Sequence, residues 1–367
     1  MKVEFNGKGC CDGIPKQQRD KGKLQMIVNV IPVSGKFSCV IVGTGSIGQR
    51  HLRVLQASGA VNVFAFPVRM QRLLELQAAK IPTVENWIQA KELGITHAII
   101  ATDTSRHSVD VQAALDADCD VLVEKPMATD AVAALHMWQA AKQYQRNLWV
   151  GCCMRFHQAL NTFRDQLPRL GKIHSVRIEC QSYLPDWRPD RPYQDSYSAR
   201  YDEGGVLRDL VHEIDYAGWL FGWAEAVTAK VRATQHLNIV SEDTADLLWE
   251  THNGMVISIT LDYLSRPARR QMRAHGEFGT LEWDGLAGQV TLALAGKSPC
   301  EISSTQTRDE MYLTQDLAFI EATSGSYAPD ARLATGADGV RALAICDTAR
   351  IASQNKSEMK VRYPVEL

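Results

Sequence analysis

The sequence lacks several features that would place it at once. Its nine cysteines include no CxxC pair. Cys10–Cys11 and Cys152–Cys153 are adjacent doublets, which make poor frameworks for a metal or a disulfide. An odd, scattered set reads as reduced thiols in a cytosolic protein, with no metal expected. No apolar run is long enough to span a bilayer. The formal net charge of -2 carries no electrostatic footprint for nucleic acid or an anionic membrane. Neither an internal repeat nor a low-complexity tract is present.

What is present suits a globular chain with ample core: 367 residues, 45% hydrophobic and 22% charged, and a length that points to two domains. Residues 1–35 read as a disordered leader, because the first 23 are polar and Gly-rich without periodicity. The run "LQMIVNVIPV" (Leu24 to Val33) mimics a signal peptide. It contains Asn29 and lacks a small-x-small cleavage site, so it is not read as one, and Met26 is an alternative start.

From Lys36 the pattern is regular. "FSCVIVG", "VNVFAF", "THAIIATD", "CDVLVEKP" and "LWVGCCMRF" read as buried strands, with helical stretches between them. This alternation predicts an α/β architecture, a doubly wound parallel sheet over residues 36–154. Beyond Thr162 the strands lengthen and alternate, as in "KIHSVRIECQSYL" and "GMVISITLDYLS". Residues 155–367 are therefore expected to form a second α/β domain around a mostly antiparallel open sheet. Its tail, "GADGVRALAICDTARIASQN", reads as an amphipathic helix that packs back on either domain.

Gly43-x-Gly45-x-x-Gly48 lies between a strand and a helix, where a dinucleotide-binding loop belongs. The glycines permit a tight turn, close approach of a pyrophosphate, and helix–strand packing. Ser46 and Ile47 open the helix whose free N–H groups would meet the phosphates. A ribose-binding acid is absent from the end of the second strand, where Phe66 and Pro67 stand. Arg69 and Arg72 follow, which leans the cofactor from NAD towards NADP, unless these arginines only solvate a helix face. Glu124 and Lys125 end a parallel strand before Pro126, where ligands of open α/β sheets lie. Lys125 is then either a site residue or the partner of Glu124.

"EGGVLRDLVHEIDY" places Asp209, His212 and Asp215 three residues apart on one broad helix face. His212 has the pKa range of a general base, and Asp209 orients it or binds substrate. Asp215 reads as structural, and Gly204–Gly205 as letting the helix start approach a cleft. The preceding loop holds Trp187, Arg188, Arg191, Tyr193, Tyr197 and Arg200, a lid suited to an anionic sugar or sugar nucleotide. Alternatively its arginines pair with Asp186, Asp190, Asp195 and Asp202. Arg155 and His157 are two further residues read as facing the cleft.

"GTGSIGQRH", "ATDTSRH", "EKP", "VGCCMRFH" and "GGVLRDLVHEID", in this order, resemble the Gfo/Idh/MocA oxidoreductases from Phe37 to the C-terminus. That family includes sugar and cyclitol dehydrogenases related to glucose–fructose oxidoreductase and inositol dehydrogenase. The resemblance implies a Rossmann domain, a nicotinamide cofactor, a sugar-like substrate and a homodimer or homotetramer. It implies Lys125 near nicotinamide and substrate hydroxyl, His212 as the proton acceptor or donor, and Glu124 beneath the nicotinamide. Ala101, Thr102 and His107 would lie along the cofactor at the strand-four loop. Many members carry Asp-x-x-x-His where this chain has Asp209-x-x-His212, which puts the role of Asp209 in doubt. The shorter spacing resembles a subset from bacterial surface-sugar pathways. Two other functions stay open: an NAD-dependent glycosidase of the same fold, which leaves no net redox change, and a nucleotide-binding regulator without catalysis.

Overall fold

The structure, a computed structural model, describes residues 37–323 and 328–364. The expected leader at 1–35 lies outside the described residues, and so do Cys10 and Cys11. Strands β1 (Ser38–Val42), β2 (Asn62–Phe66), β3 (His97–Ile100), β4 (Asp120–Glu124) and β5 (Leu148–Gly151) are parallel and ordered β2-β1-β3-β4-β5. All but β2 are almost wholly buried, which is why they read as continuous apolar runs. Because β1 pairs with β2 on one side and β3 on the other, its carboxyl end opens at the topological switch point.

Between β2 and β3 the chain makes one parallel bridge, Ala65 to Thr83, and a short helix, Trp87–Glu92. Pro82 has no N–H to extend that bridge into a strand, and Asn86 caps the helix. The Ala101 loop therefore follows the third strand of the chain, not the fourth.

The second sheet contains β6 (Ile173–Gln181), β7 (Ala226–Arg232), β8 (Thr244–Glu250), β9 (Val256–Asp262), β10 (Arg269–Gly276), β11 (Gly279–Asp284), β12 (Gln289–Leu294) and β13 (Cys300–Ser303). Its order is β13-β12-β11-β10-β6-β9-β8-β7, antiparallel except for β6 beside β9. Along β8 and β10 buried and exposed residues alternate, so one face covers a core and the other stays open.

Two late strands complete the sheets. β14 (Ala334–Thr335) pairs with β5 of the first sheet and β15 (Met359–Lys360) with β7 of the second. Between them the helix Gly336–Asn355, begun by a Thr335/Asp338 capping box, packs on helix Ala131–Gln143 of the first domain. It packs as extensively on β7 of the second, and less so on helix Val211–Phe221, so it joins both domains rather than choosing one. Among the described residues no helix is long and apolar enough to cross a membrane.

Candidate active site

A cleft of about 1140 Å³ runs from the carboxyl end of β1 to the second sheet. Its first wall is glycine backbone. Gly43 has φ +86, and a side chain there would meet the Ala101 carbonyl oxygen at 2.7 Å. A Cβ on Gly48 would lie 1.9 Å from the Gly43 oxygen, whereas one on Gly45 would meet nothing. The outer glycines thus close the packing, and the middle one leaves the approach open. Helix Ser46–Ser58 starts at Gly45 with no side-chain cap and no acid in its first turn. Its uncapped N–H groups, with Ser46 and Ile47 on the cleft wall, fit a pyrophosphate.

Ala101, Thr102 and His107 line the same end. His107 is braced between the carbonyls of Thr102 (3.2 Å) and Pro126 (3.1 Å), tying the loop after β3 to the turn after β4. At the end of β2, Arg72 pairs with Glu75 at 2.7 Å. Arg69 lines the cleft and forms no ion pair among the described residues.

Glu124 and Lys125 do not pair with each other as side chains. The Glu124 carboxylate accepts the Lys125 backbone N–H at 3.1 Å, while Lys125 Nζ donates to the backbone carbonyl of Asp209 at 2.8 Å. That bond sits at a break the sequence pattern hid. A four-residue turn, Val206–Asp209, stops at Leu210 (φ -100, ψ 30) before helix Val211–Phe221 begins. The Glu213 N–H bonds back to Leu210, and the Asp209 carbonyl is taken by lysine. Asp209, His212 and Asp215 therefore do not share one regular helix face.

His212 is 6% exposed, and its Nε2 lies 4.0 Å from Cys153 Sγ. Among the described residues its Nδ1 has no partner. Burial, then the positive charges of Lys125, Arg270 and Arg308, hold its pKa well below the ordinary value. The imidazole is neutral at pH 7. Burial pushes the Cys153 thiol up to about 11, so it too is uncharged. Asp209 Oδ2 accepts a 2.6 Å bond from the buried Tyr263 hydroxyl, and Tyr197 lines the cleft beside it. Burial and this carboxylate both push the two phenols well above their usual pKa.

Arg155 is placed differently from expectation. Its guanidinium is buried against Asp215 (2.6 Å) and Asp338 (3.3 Å), away from the cleft. A buried arginine is held by such a carboxylate pair, and Asp215 thereby ties its helix to Arg155 rather than touching His212. Gly204 and Gly205 serve packing: their Cβ atoms would strike the Tyr197 carbonyl oxygen at 2.2 Å and the Glu242 carboxyl carbon at 2.4 Å. In the lid, Trp187 and Arg188 line the cleft with Arg191. Asp186 pairs with Arg266 and Arg200 with Glu203, while Arg188 and Arg191 form no ion pair among the described residues.

The sequence pattern missed a buried chain beneath the site. His51 is fully buried and bonds Asp316 through Nδ1 (2.8 Å) and Glu124 through Nε2 (3.1 Å). Although burial opposes it, the two carboxylates raise the His51 pKa to about 10, so the ring is an imidazolium donating to both. The only local signal was the histidine in "GSIGQRH". Arg270, Arg308 and Tyr312 were also missed, and all line the cleft.

A parallel dinucleotide-type sheet joined to an open mixed sheet, with a polar cleft between them, defines a two-domain protein whose first domain has a Rossmann fold. Residues 37–152 match the oxidoreductase family with an NAD-binding Rossmann fold, and residues 168–282 match the GFO/IDH/MocA C-terminal domain. The chain belongs to the GFO/IDH/MocA family. It is 31% identical over 193 residues to the rhizopine catabolism protein MocA of Rhizobium meliloti, covering 51% of this chain and 58% of that protein. To the myo-inositol dehydrogenase Hyg17 of Streptomyces leeuwenhoekii it is 27% identical over 312 residues, covering 80% and 91%. Its fold is similar to that of a levoglucosan dehydrogenase solved with NADH (TM-score 0.79, 17% identity, 89% of this chain and 99% of that one).

Proposed function

We propose that this protein is an NAD(P)-dependent dehydrogenase or reductase acting on a sugar-like secondary alcohol or its ketone. The observation that carries this reading is the meeting of Lys125 and His212, from different domains, in the cleft that the uncapped glycine-loop helix opens into. When bound there, a nicotinamide supplies the hydride acceptor in oxidation and the donor in reduction. Gly43, Gly45, Ser46, Ile47 and Gly48 would hold the pyrophosphate, with Ala101 and Thr102 along it. The free Arg69 and the missing acid at β2 favour NADP as the finer reading.

In oxidation, neutral His212 takes the hydroxyl proton; its low proton affinity keeps it unprotonated at pH 7. One N–H of Lys125 is committed to the Asp209 carbonyl. The other two are free to hold the substrate oxygen and stabilise its developing negative charge. Asp209 acts mainly as the anchor of Lys125. Trp187, Arg188 and Tyr197 in the lid suit an anionic sugar or sugar nucleotide. A homodimer or homotetramer would use the open sheet face that carries Arg177, Arg273 and Glu282, all exposed; light scattering tests that arrangement.

The central test is titration with NADH and NADPH, followed by NAD(P)H absorbance on polyol, sugar and sugar-nucleotide panels. Net cofactor reduction or oxidation supports the reading, and turnover without net redox change points to the glycosidase cycle. A Lys125→Ala protein that binds cofactor and keeps wild-type turnover would overturn it.

A further inference from the structure

The substrate half of the cleft is rich in cations, with Asp209, bonded to the Tyr263 hydroxyl, among the carboxylates on the lining. Lys125, Arg188, Arg191, Arg270 and Arg308 all line it. Among the described residues only Arg270 has a carboxylate partner, Glu213 at 2.8 Å through Nε. That bond leaves the Nη groups of Arg270 uncommitted to any carboxylate. Arg308 opens helix Arg308–Ala322, its Cζ 6.0 Å from the centre of the Tyr312 ring. Gathering like charges in one cleft is unfavourable unless an anion offsets them.

A dinucleotide does not use these charges. Its pyrophosphate is served by the uncapped helix at Gly45, with Arg69 at the far end. Arg270 and Arg308 instead flank the reacting end. Both, with Lys125, are close enough to His212 to disfavour its protonated form. Arg270 reaches the cleft from the second residue of strand β10, and Arg308 from the helix that also carries Asp316. Two guanidinium forks from separate elements match a planar carboxylate or a phosphate.

Resting on the oxidoreductase reading above, we propose that the substrate carries an anionic group on its own carbon skeleton, close to the carbon that is oxidised, and that Arg270 and Arg308 bind it beside His212. The lid arginines Arg188 and Arg191 lie on another element and do not substitute for this pair. Occupancy has a chemical consequence. A bound anion offsets the cations around His212 and strengthens it as a base only when the correct substrate is present.

The test uses the full chain loaded with NADH or NADPH, titrated calorimetrically with D-glucuronate, D-glucose 6-phosphate and D-glucose. The first two should bind about tenfold to a hundredfold more tightly than glucose, the worth of a charge-assisted pair. In Arg308→Gln that preference should collapse towards one. Arg270→Lys keeps a charge for Glu213 but loses the fork, and should weaken the same preference. Tighter binding of glucuronate than of the phosphate identifies a carboxylate, and the reverse a phosphate. Equal binding of all three sugars, or a preference untouched by Arg308→Gln, overturns the proposal. Because the readout is binding, its failure is separate from a failure of redox turnover, which would sink the oxidoreductase reading instead.

Discussion

At its glycine-loop end the cleft is walled by the turn from Gly43 to Ile47 at the carboxyl end of β1, with Arg69, Ala101, Thr102 and His107 beside it. At its His212 end the wall is made of charged and aromatic side chains from the turn after β4, the lid, the broken helix, β10 and helix Arg308–Ala322. The first region offers N–H groups and open space, and any dinucleotide uses the same features. The second gathers Lys125, Arg270 and Arg308 around a neutral imidazole, with Glu213 as the carboxylate partner of Arg270. The first region is assembled from strand-end loops of one domain, whereas the second draws side chains from distant parts of the chain.

That contrast breaks most visibly if the second region is removed without harming the first. Lys125→Ala and His212→Ala should each lower turnover by about 10²- to 10⁴-fold, with NADH affinity largely kept. Fluorescence titration beside steady-state rates checks this. Loss of cofactor binding in proportion to rate would show that the two ends are not separable.

The next effect concerns the buried link between the ends. His51→Asn leaves Asp316 and Glu124 buried without their cation, a cost of about 3–5 kcal/mol, read by denaturant unfolding. The folded-state pKa of His51 is raised from 6.5 to about 10. Its stabilisation is therefore fully present below about pH 6.5 and is lost as pH rises towards 10. The gap between wild type and His51→Asn should narrow over that window, and a constant gap would mean that His51 acts by packing alone.

A smaller shift sharpens the picture of the His212 environment, in which Lys125, Arg270, Arg308 and the Cys153 thiol surround the ring. The depressed His212 pKa predicts oxidation rates that hold below the ordinary histidine range as pH falls. Arg308→Gln should move that acid limb upward. An acid limb at the ordinary value in both proteins would remove the electrostatic account.

The smallest change lies at the adenosine end. Arg69→Ala should weaken NADPH binding by about tenfold and NADH hardly at all. Equal effects on both would return Arg69 to a solvated helix face.

The features that could be read from the sequence are those whose physics is local. "FSCVIVGTGSIG" declares a buried strand, a tight turn and a helix start, and glycine alone tolerates those contacts. Lys125 before Pro126 at a strand end, and His212 in an apolar run, were likewise visible as candidates. Arg155 was misplaced because nothing near it showed that Asp215 and Asp338 would claim its guanidinium. The regular face through Asp209, His212 and Asp215 was an extrapolation of helical periodicity. It failed at Leu210, where the Lys125 ammonium takes a carbonyl from the helix.

By itself, then, the sequence determined the two-domain plan and the glycine turn between β1 and its helix, and it marked Lys125 and His212 as candidates. These follow from period, glycine and strand ends, which act over a few residues. Only the tertiary structure decided that His51 meets Asp316, 265 positions away, that Tyr263 holds Asp209, and that Arg270 and Arg308 surround His212. Buried charge is tolerable only with a partner, and which partner arrives is settled by how the sheets and helices pack.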